Sequence, residues 1–347
     1  MGYSVYCAIC AGPFSSNVEI DPEETDDDDG YYRDKVLRGC NLEWLDDVCG
    51  LGINPDAPGD DKSFVSGVGE HWDNGELDLA RGDDPNAPLT VHDPVDYISA
   101  TSYRPVYGSE SPYVFPFHQI CYKDIFLRCI HREYEQIRRD VLFDAMEYLT
   151  DTSGVRLKVL YGDPDPPAEQ AWPSIKGQEA HKKQVLVVNP VEIPQLDAEL
   201  APIMEALNKQ GTLDQGSQTQ DIFNRLPLEL RHMVFGHLPA GSILALKAAS
   251  FAMHTTTLPP KIWAHRLSFE IPWLWEIHDI DLFQSQEVEE KASRLLLDIQ
   301  KKSQYTSEND DYILGLANRS RIWSASDAIS YWYGEKLRDR ESELKKG

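Results

Sequence analysis

The chain has 347 residues, room for about two domains, and 41% of them are hydrophobic. This composition, with eight tryptophans, is typical of a globular protein and excludes a disordered tail or a fibre. The net charge is −25, and residues 1–117 hold 24 acidic but only 6 basic residues. Because such a surface repels phosphate backbones, we expect no nucleic-acid partner.

The sequence also bears on where the protein works. No apolar run approaches the roughly 18 residues of a membrane span, and residues 1–6 lack the basic and apolar regions of a signal peptide. All six cysteines lie within the first 129 residues, a density too low for a disulfide-stapled secreted domain. We therefore expect an intracellular protein, cytoplasmic and/or nuclear, without a membrane partner and with reduced or metal-bound thiols.

The first part of the chain mixes strand and helix signals. Residues 21–30 are so acidic that they predict a solvated loop, and residues 50–115 predict short strands joined by long loops. Apolar residues at spacings of three and four predict one long helix from His118 to Thr150. Apolar runs at 155–161 and 184–188 predict two further strands. Together these patterns predict a mixed α/β domain over residues 1–208.

The second part is predicted to be helical. Residues 209–220 are polar and contain glycine, a composition typical of a linker. Three short helices follow within 221–269, the third near Ile262, Trp263 and Leu267, and a helical region completes the chain over 270–347. The overall fold class is therefore predicted to be α+β.

Two pairs of metal-ligating residues share the same spacing. Cys7 and Cys10 are separated by two residues, as are His118 and Cys121. In the first pair a tight knuckle turns both sulfurs toward one ion, and Gly12 supplies the positive φ of such a turn. In the second pair the residues share one face of a helical first turn. This predicts a treble-clef-like site for structural zinc, closed by three thiolates and one imidazole.

Other interpretations of these residues remain open. The two pairs are 107 residues apart, so Cys10 and Cys121 could instead be small core residues. Cys121 with His118 could also form a nucleophile and base. The remaining cysteines, Cys40, Cys49 and Cys129, lack paired spacing and are expected to be buried free thiols. No phosphate-binding or serine-hydrolase motif occurs, so we expect no enzyme activity.

The segment from Asp221 to Pro239 carries the most information about function. Pro227 and Glu229 suit the start of a helix, and Leu226, Leu230, Val234 and Leu238 recur every four residues. Met233, Val234 and Phe235, with Leu244 and Leu246 of the next helix, give these short helices more than one apolar face. This surplus indicates a partner that accepts helices in a groove.

This segment resembles the F-box. The matching residues, within about 221–269, are Leu226-Pro227-x-Glu229-Leu230, Val234, Leu238-Pro239, Leu244, Leu246, Ala249-Ser250 and Trp263. The wider chain is similar to a group of fungal F-box proteins. The landmarks shared with that group are the segment 7–14, Phe115-Pro116-Phe117-His118-x-x-Cys121-Tyr122, Asn189-Pro190 and Pro272-Trp273-Leu274-Trp275-Glu276. Both half-motifs of the predicted zinc site are among these landmarks.

The resemblance implies a non-catalytic subunit of a Skp-cullin-F-box ubiquitin ligase, which holds an unknown protein substrate for ubiquitin-dependent degradation by proximity alone. The residues expected to bind the Skp-type adaptor, and through it the cullin, are Leu226, Pro227, Leu230, Val234, Leu238, Leu244 and Leu246. The alternative is a zinc-stabilised protein-interaction scaffold that does not assemble a ligase. A metal-dependent hydrolase is a third hypothesis, which the closed ligand set disfavours.

Overall fold

The computed structural model of the chain divides into two compact units. The residues it describes are 5–14, 20–21, 32–33, 40–72, 76–88, 97–103, 113–150, 156–163, 166, 180–207, 221–258, 269–277, 286–305 and 311–345. The first unit comprises Met1–Glu192, Tyr305–Ser307 and Leu314–Gly347, and the second comprises Ile193–Gln304 and Glu308–Ile313. Both strands and helices are present, as the predicted fold class requires.

The first unit contains a small five-strand barrel. The strands of this unit are β1 (Ile20–Asp21), β2 (Tyr32–Arg33), β3 (Val48–Ile53), β4 (Ser63–Val65), β5 (Gly69–His71), β6 (Glu76–Ala80), β7 (Tyr97–Ser102) and β8 (Tyr113–His118), of which β1 and β2 form a separate two-stranded sheet. Strand β3 pairs with both β5 and β8, which closes the ring β3-β5-β6-β7-β8, while β4 also pairs with β3. Within the ring only β7 and β8 run parallel. The short strands expected in 50–115 are therefore confirmed.

Two glycines explain how so small a barrel fills its interior. A Cβ at Gly50 would lie 2.9 Å from Leu79 Cδ1, and one at Gly52 would lie 2.6 Å from the Phe64 ring. Because alternate residues of a strand share one face, both glycines leave the same side of β3 open to bulky neighbours. Strand β3 is thus buried on both faces, which anchors β8, its antiparallel partner along five residues.

Helices of the first unit follow the barrel. They are a π-helical turn (Cys121–Phe126), α1 (Leu127–Ile130), α2 (Arg139–Leu149), α3 (Ala180–Val187) and, much later in the sequence, α9 (Leu314–Leu344). Helix α2 packs on β3 and β4, and α9 packs on the π-helical turn and on α1, α2 and α3. Residues such as Ile322, Ile329 and Tyr333 are fully buried in this contact.

Two predictions for this region are wrong. The helix expected from His118 to Thr150 is interrupted at residues 131–138, and His118 ends strand β8 instead of opening a helix. Both helical pieces bury the same kind of apolar stripe, so the spacing continues across the break. The run 184–188 lies largely in helix α3 because its side chains are buried on all sides, a pattern that does not distinguish a helix from a buried strand.

The other predicted strand, 155–161, is also absent from the described residues 156–161. There Leu157 forms a single bridge with Thr150 and no ladder develops. Residue 155 lies outside the described part, as do most of the acidic loop 21–30, the linker 209–220 and the third predicted helix near Trp263. Across the described helices none is long and apolar enough to cross a bilayer.

The second unit is helical in the residues described. Its helices are α4 (Pro194–Leu207), α5 (Leu228–Gly236), α6 (Ala240–Ala249), α7 (Phe251–His254) and α8 (Gln286–Lys302), with 3-10 turns at Ile222–Arg225 and Trp275–Ile277. Helix α8 packs on α4 and α6, and α6 packs on α7. The core residues include Phe235, Ile243, Met253, Leu274 and Ile299.

The sequence boundaries predicted at 208 and 270 do not coincide with the two units. Helix α4, which precedes the predicted linker, belongs to the second unit, whereas α9 belongs to the first. The reason is that α9 buries its apolar stripe against the helices that follow the barrel, a contact between residues far apart in the sequence. The first unit is therefore discontinuous.

Asp221 joins three parts of the second unit. Its carboxylate accepts hydrogen bonds from the Phe223 N–H at 2.9 Å, the Ser250 hydroxyl at 2.6 Å and the Ala252 N–H at 2.9 Å. The bond from Ser250, together with those from the backbone, lowers the pKa of this carboxyl. The 3-10 turn that precedes α5 is thereby attached to the start of α7.

The lowered pKa of Asp221 predicts a stability that depends on pH. Because the folded state favours the carboxylate, this stabilisation is complete above the ordinary carboxyl pKa of about 4 and is lost as pH falls through the lower folded pKa. We expect Asp221→Asn to reduce the thermal midpoint of the second unit by a few degrees at pH 7. Below pH ~4 the midpoint of this variant should fall less with decreasing pH than the midpoint of the parent. Circular dichroism melts between pH 3 and 7 would measure both effects.

Asp163→Asn is the control for this experiment, because Asp163 is exposed and lies in the first unit. It should leave the melting curves unchanged. If parent and Asp221→Asn protein had the same midpoints at every pH, the proposed role of the Asp221 carboxylate would be wrong.

Candidate metal centre and exposed helical surface

The structure brings the four predicted metal ligands together. Cys7 and Cys10 lie on a tight turn, His118 ends strand β8 and Cys121 begins the π-helical turn. All four side chains are completely buried, and their ligand atoms lie within 4.8 Å of one another. A knuckle and the start of a helix therefore meet at one point, although the barrel separates them in sequence.

The knuckle is held in place by hydrogen bonds to its backbone. The Ala8 N–H donates to the Pro116 carbonyl of β8 at 2.8 Å, and the hydroxyls of Tyr103 and Tyr161 donate to the carbonyls of Tyr6 and Ala8. Since Pro116 is only two residues before His118, the first of these bonds fixes the knuckle beside the second ligand pair.

Three backbone N–H groups point at the sulfurs. Cys7 Sγ accepts from the N–H groups of Cys10 and His118, both at 3.4 Å, and Cys10 Sγ accepts from the Gly12 N–H at 3.2 Å. Hydrogen bonds of this kind stabilise sulfur as a thiolate and orient it as a ligand. The arrangement thus prepares the knuckle sulfurs for a cation.

The role of Gly12 in the knuckle differs from the predicted one. The residue with positive φ is Ala11, at 52°, and not Gly12. A Cβ at Gly12 would lie 3.1 Å from Cys10 Sγ and 3.6 Å from the His118 ring. Glycine is therefore required by the close approach of its backbone to two ligands, and the knuckle accepts the strain at Ala11.

The ring of His118 is oriented for binding through Nδ1. This atom lies 3.3 Å from Cys10 Sγ and 3.8 Å from Cys121 Sγ, while Nε2 faces the Pro13 carbonyl at 2.9 Å. The carbonyl can only accept, so Nε2 keeps its proton, and Nδ1 is the ring nitrogen that could bind a cation beside the sulfurs. The rings of Phe14 and Trp44 pack against the imidazole at centroid distances of 4.8 and 4.7 Å.

The cluster is electrostatically coupled. Burial acts to raise the pKa of the Cys10 thiol, but hydrogen bonds from Cys121 and Cys7 and the charge of His118 hold it well below its ordinary value. Burial acts to lower the pKa of His118, yet negative charge at Cys10 and Cys7 raises it to about 10. Burial, with hydrogen bonds to Cys10 and Cys7, raises the pKa of Cys121 well above its ordinary value.

These residues could hold a metal ion. In a tetrahedral site with metal–sulfur bonds of about 2.3 Å, the ligand atoms would be roughly 3.5–3.8 Å apart, close to the 3.3 and 3.8 Å separations from His118 Nδ1. A cation would also displace the protons that the buried cluster shares. Four protein donors without solvent exposure form a closed set, which suits a structural ion.

The other three cysteines lie outside this cluster. All six cysteines are among the described residues and none forms a disulfide. Cys49 and Cys129 are buried as predicted, and burial raises the pKa of each thiol to about 12, so they are neutral core residues. Cys40 is only half-buried, contrary to the prediction, and the next residue, Asn41, is exposed.

The seven predicted adaptor-binding residues lie in the second unit, and none is fully buried. Pro227 and Leu230 are exposed, and the others are partly exposed, namely Leu226, Val234, Leu238, Leu244 and Leu246. Since the described neighbours in the same unit leave these apolar side chains accessible, they remain available to a partner.

Helix α5 has two apolar faces. On one side Phe235 is completely buried, with the Lys247 ammonium 5.7 Å from its ring centroid. On the other side Leu230, Met233 and Val234 share a face at spacings of three and four residues. We call these three residues the exposed apolar face, since Leu230 is 44% and Met233 59% exposed and Val234 is half-buried. Helix α5 therefore leaves part of its apolar surface unburied within the described residues of its unit.

The chain matches no protein-family model, no curated protein and no solved structure.

One residue beside the metal centre was not anticipated from the sequence. Arg321 of α9 is buried and donates to the carbonyls of Cys10 and Tyr161 at 2.7 and 3.1 Å. The only signal in the sequence is a pair of arginines, Arg319 and Arg321, within a stretch that otherwise has apolar residues at helical spacing. Such a pair is common on exposed helices, so it did not indicate a buried role.

Proposed function

We propose that the chain is an F-box-type subunit of a Skp-cullin-F-box ubiquitin ligase. The exposed apolar face of α5 carries this proposal, because it lies within the segment that resembles the F-box. A helix pair with an apolar face left accessible suits a partner that buries it in a groove. The occupant of that face is then the Skp-type adaptor, which links the chain to a cullin.

In this function the chain needs no reacting side chain. It holds a protein substrate close to a ubiquitin-charged conjugating enzyme, and the high effective concentration of the substrate's lysine accelerates transfer. The chain is then a receptor, and the thioester chemistry belongs to another subunit.

The metal bound by the cluster is proposed to be zinc. Three thiolates and one imidazole form a donor set that Zn²⁺ accepts in structural sites. Cys7, Cys10, His118 and Cys121 would hold it, and the ion would join the knuckle to the end of β8. A metal-dependent hydrolase would need a coordination position open to water, which a buried set of four protein donors does not offer.

Co-purification tests the ligase function directly. The intact chain, incubated with the Skp-type adaptor and a cullin, should capture both, whereas a Leu226→Asp, Leu230→Asp variant should capture neither. The variant must first give the circular dichroism spectrum of the parent, which is expected because both side chains are at least partly exposed.

The other outcomes contradict the proposal in different ways. Capture of the adaptor without the cullin would favour the alternative, a scaffold that does not assemble a ligase. Capture of neither partner by the parent would show that the likeness to the F-box does not extend to adaptor binding.

A further inference from the structure

Arg321 is a buried cation surrounded by neutral acceptors. Only 2% of its surface is exposed, and its guanidinium donates to the carbonyls of Cys10 and Tyr161 and to Asn318 Oδ1 at 2.9 Å. In the described part of the chain no carboxylate forms an ion pair with it. An uncompensated buried charge is strongly destabilising, so the surroundings must supply negative charge in another form.

The proposed metal ligands can supply this charge. The contact is direct in the backbone, because the guanidinium is hydrogen-bonded at 2.7 Å to the carbonyl of Cys10, whose sulfur belongs to the cluster.

Neighbouring residues hold the side chain of Arg321 in place. Gly162 has a φ of +83°, and a Cβ there would lie 2.5 Å from Arg321 Cγ, so only glycine allows the arginine stem to pass. Asn318 orients the guanidinium through Oδ1, while its Nδ2 donates to the Val188 carbonyl at 2.8 Å. Contacts from three parts of the sequence therefore direct this side chain toward the knuckle.

The charge of the centre accounts for this arrangement. A divalent metal bound by three thiolates and one neutral imidazole has a formal charge of −1, which one guanidinium neutralises. We infer that Arg321 is the positioning residue that balances the charge of the metal centre and joins helix α9 to it. This inference rests on the proposed metal site, and it adds a fifth residue, from the far end of the sequence, to that site.

The test compares zinc affinity among four full-length proteins by competition with a chelating dye. They are the parent, Arg321→Met, Arg321→Lys and the matched control Arg319→Met. Arg319 is fully buried in the same helix but donates to the carbonyls of Pro190 and Val191, neither of which is a ligand residue.

Loss of the counter-charge should weaken zinc binding about 10- to 100-fold in Arg321→Met, as for other residues that support metal ligands. Arg321→Lys should recover part of the loss because the charge is kept. Arg319→Met should retain the parent affinity even if its melting temperature falls. Equal zinc affinity in Arg321→Met and Arg319→Met would overturn the inference, whereas a parent that bound no zinc would overturn the proposed metal site itself.

If Arg321→Met does not fold, two further variants test the inference, namely Cys121→His alone and Cys121→His combined with Arg321→Met. Cys121→His reduces the formal charge of the centre to zero, since it exchanges a thiolate for an imidazole. Arg321→Met should then cost less in the Cys121→His background than in the parent, and the double variant should fold and bind zinc. A folded Cys121→His protein whose double variant does not fold would contradict charge balance and show that Arg321 serves packing alone.

Discussion

A Cys7→Ser, Cys10→Ser variant should lose the metal and the cooperative unfolding of the first unit. The parent should contain one zinc per chain by elemental mass spectrometry, and the variant none. Structural zinc sites contribute on the order of 10 kcal/mol at neutral pH, whereas a whole domain is stable by only about 5–15 kcal/mol. We therefore expect the thermal transition of the first unit to become broad or to disappear, as circular dichroism would show.

Cys129→Ser is the matched control for this variant. Cys129 is also buried, but burial keeps its thiol neutral and it lies outside the cluster. Its replacement should leave the zinc content unchanged and reduce stability only by the ordinary effect of placing a hydroxyl in the core. Equal zinc content in the parent and in the Cys7→Ser, Cys10→Ser variant would refute the metal site.

A Leu230→Asp variant should fold normally and bind the adaptor weakly. Leu230 is 44% exposed in the free chain, so an aspartate is tolerated there, but a complex would place its charge in a desolvated groove. Central interface residues of this kind are worth about 2 kcal/mol or more, which corresponds to roughly a thirtyfold rise in Kd. Titration calorimetry with the purified adaptor would measure the change.

Leu160→Asp makes the same chemical change at another exposed leucine. Leu160 lies in the first unit and is 88% exposed, so this control should bind the adaptor as the parent does. If a folded Leu230→Asp protein bound with the parent's affinity, the exposed apolar face would not be the docking surface.

The sequence predicted those parts of the molecule that depend on local spacing. Two residues between Cys7 and Cys10 are enough to shape a knuckle, and the same spacing puts His118 and Cys121 at neighbouring positions, so each pair is recognisable by itself. That the two pairs meet depends on the tertiary structure, because the strands of the barrel lie between them in the sequence. The pattern of a knuckle plus a second ligand pair predicted that they belong to one site, and the resemblance to fungal F-box proteins supported it.

Other features could not be predicted because they depend on contacts across the fold. The run 184–188 is buried all round, so its composition fits a strand as well as the helix it forms. No glycine or proline marks the break at 131–138, where the chain departs from the helical conformation. The role of Arg321 depends on the arrival of α9 beside the knuckle, which no local pattern encodes.

The discontinuity of the first unit has a consequence for its synthesis. Because α9 contributes buried residues to the helices behind the barrel, the first unit cannot be completed while the ribosome is still translating residues 193–313. The second unit has then left the ribosome in full, which reverses the usual order in which the N-terminal domain folds first. Until α9 emerges, the nascent barrel and its cysteines have to persist without the last helix of their unit.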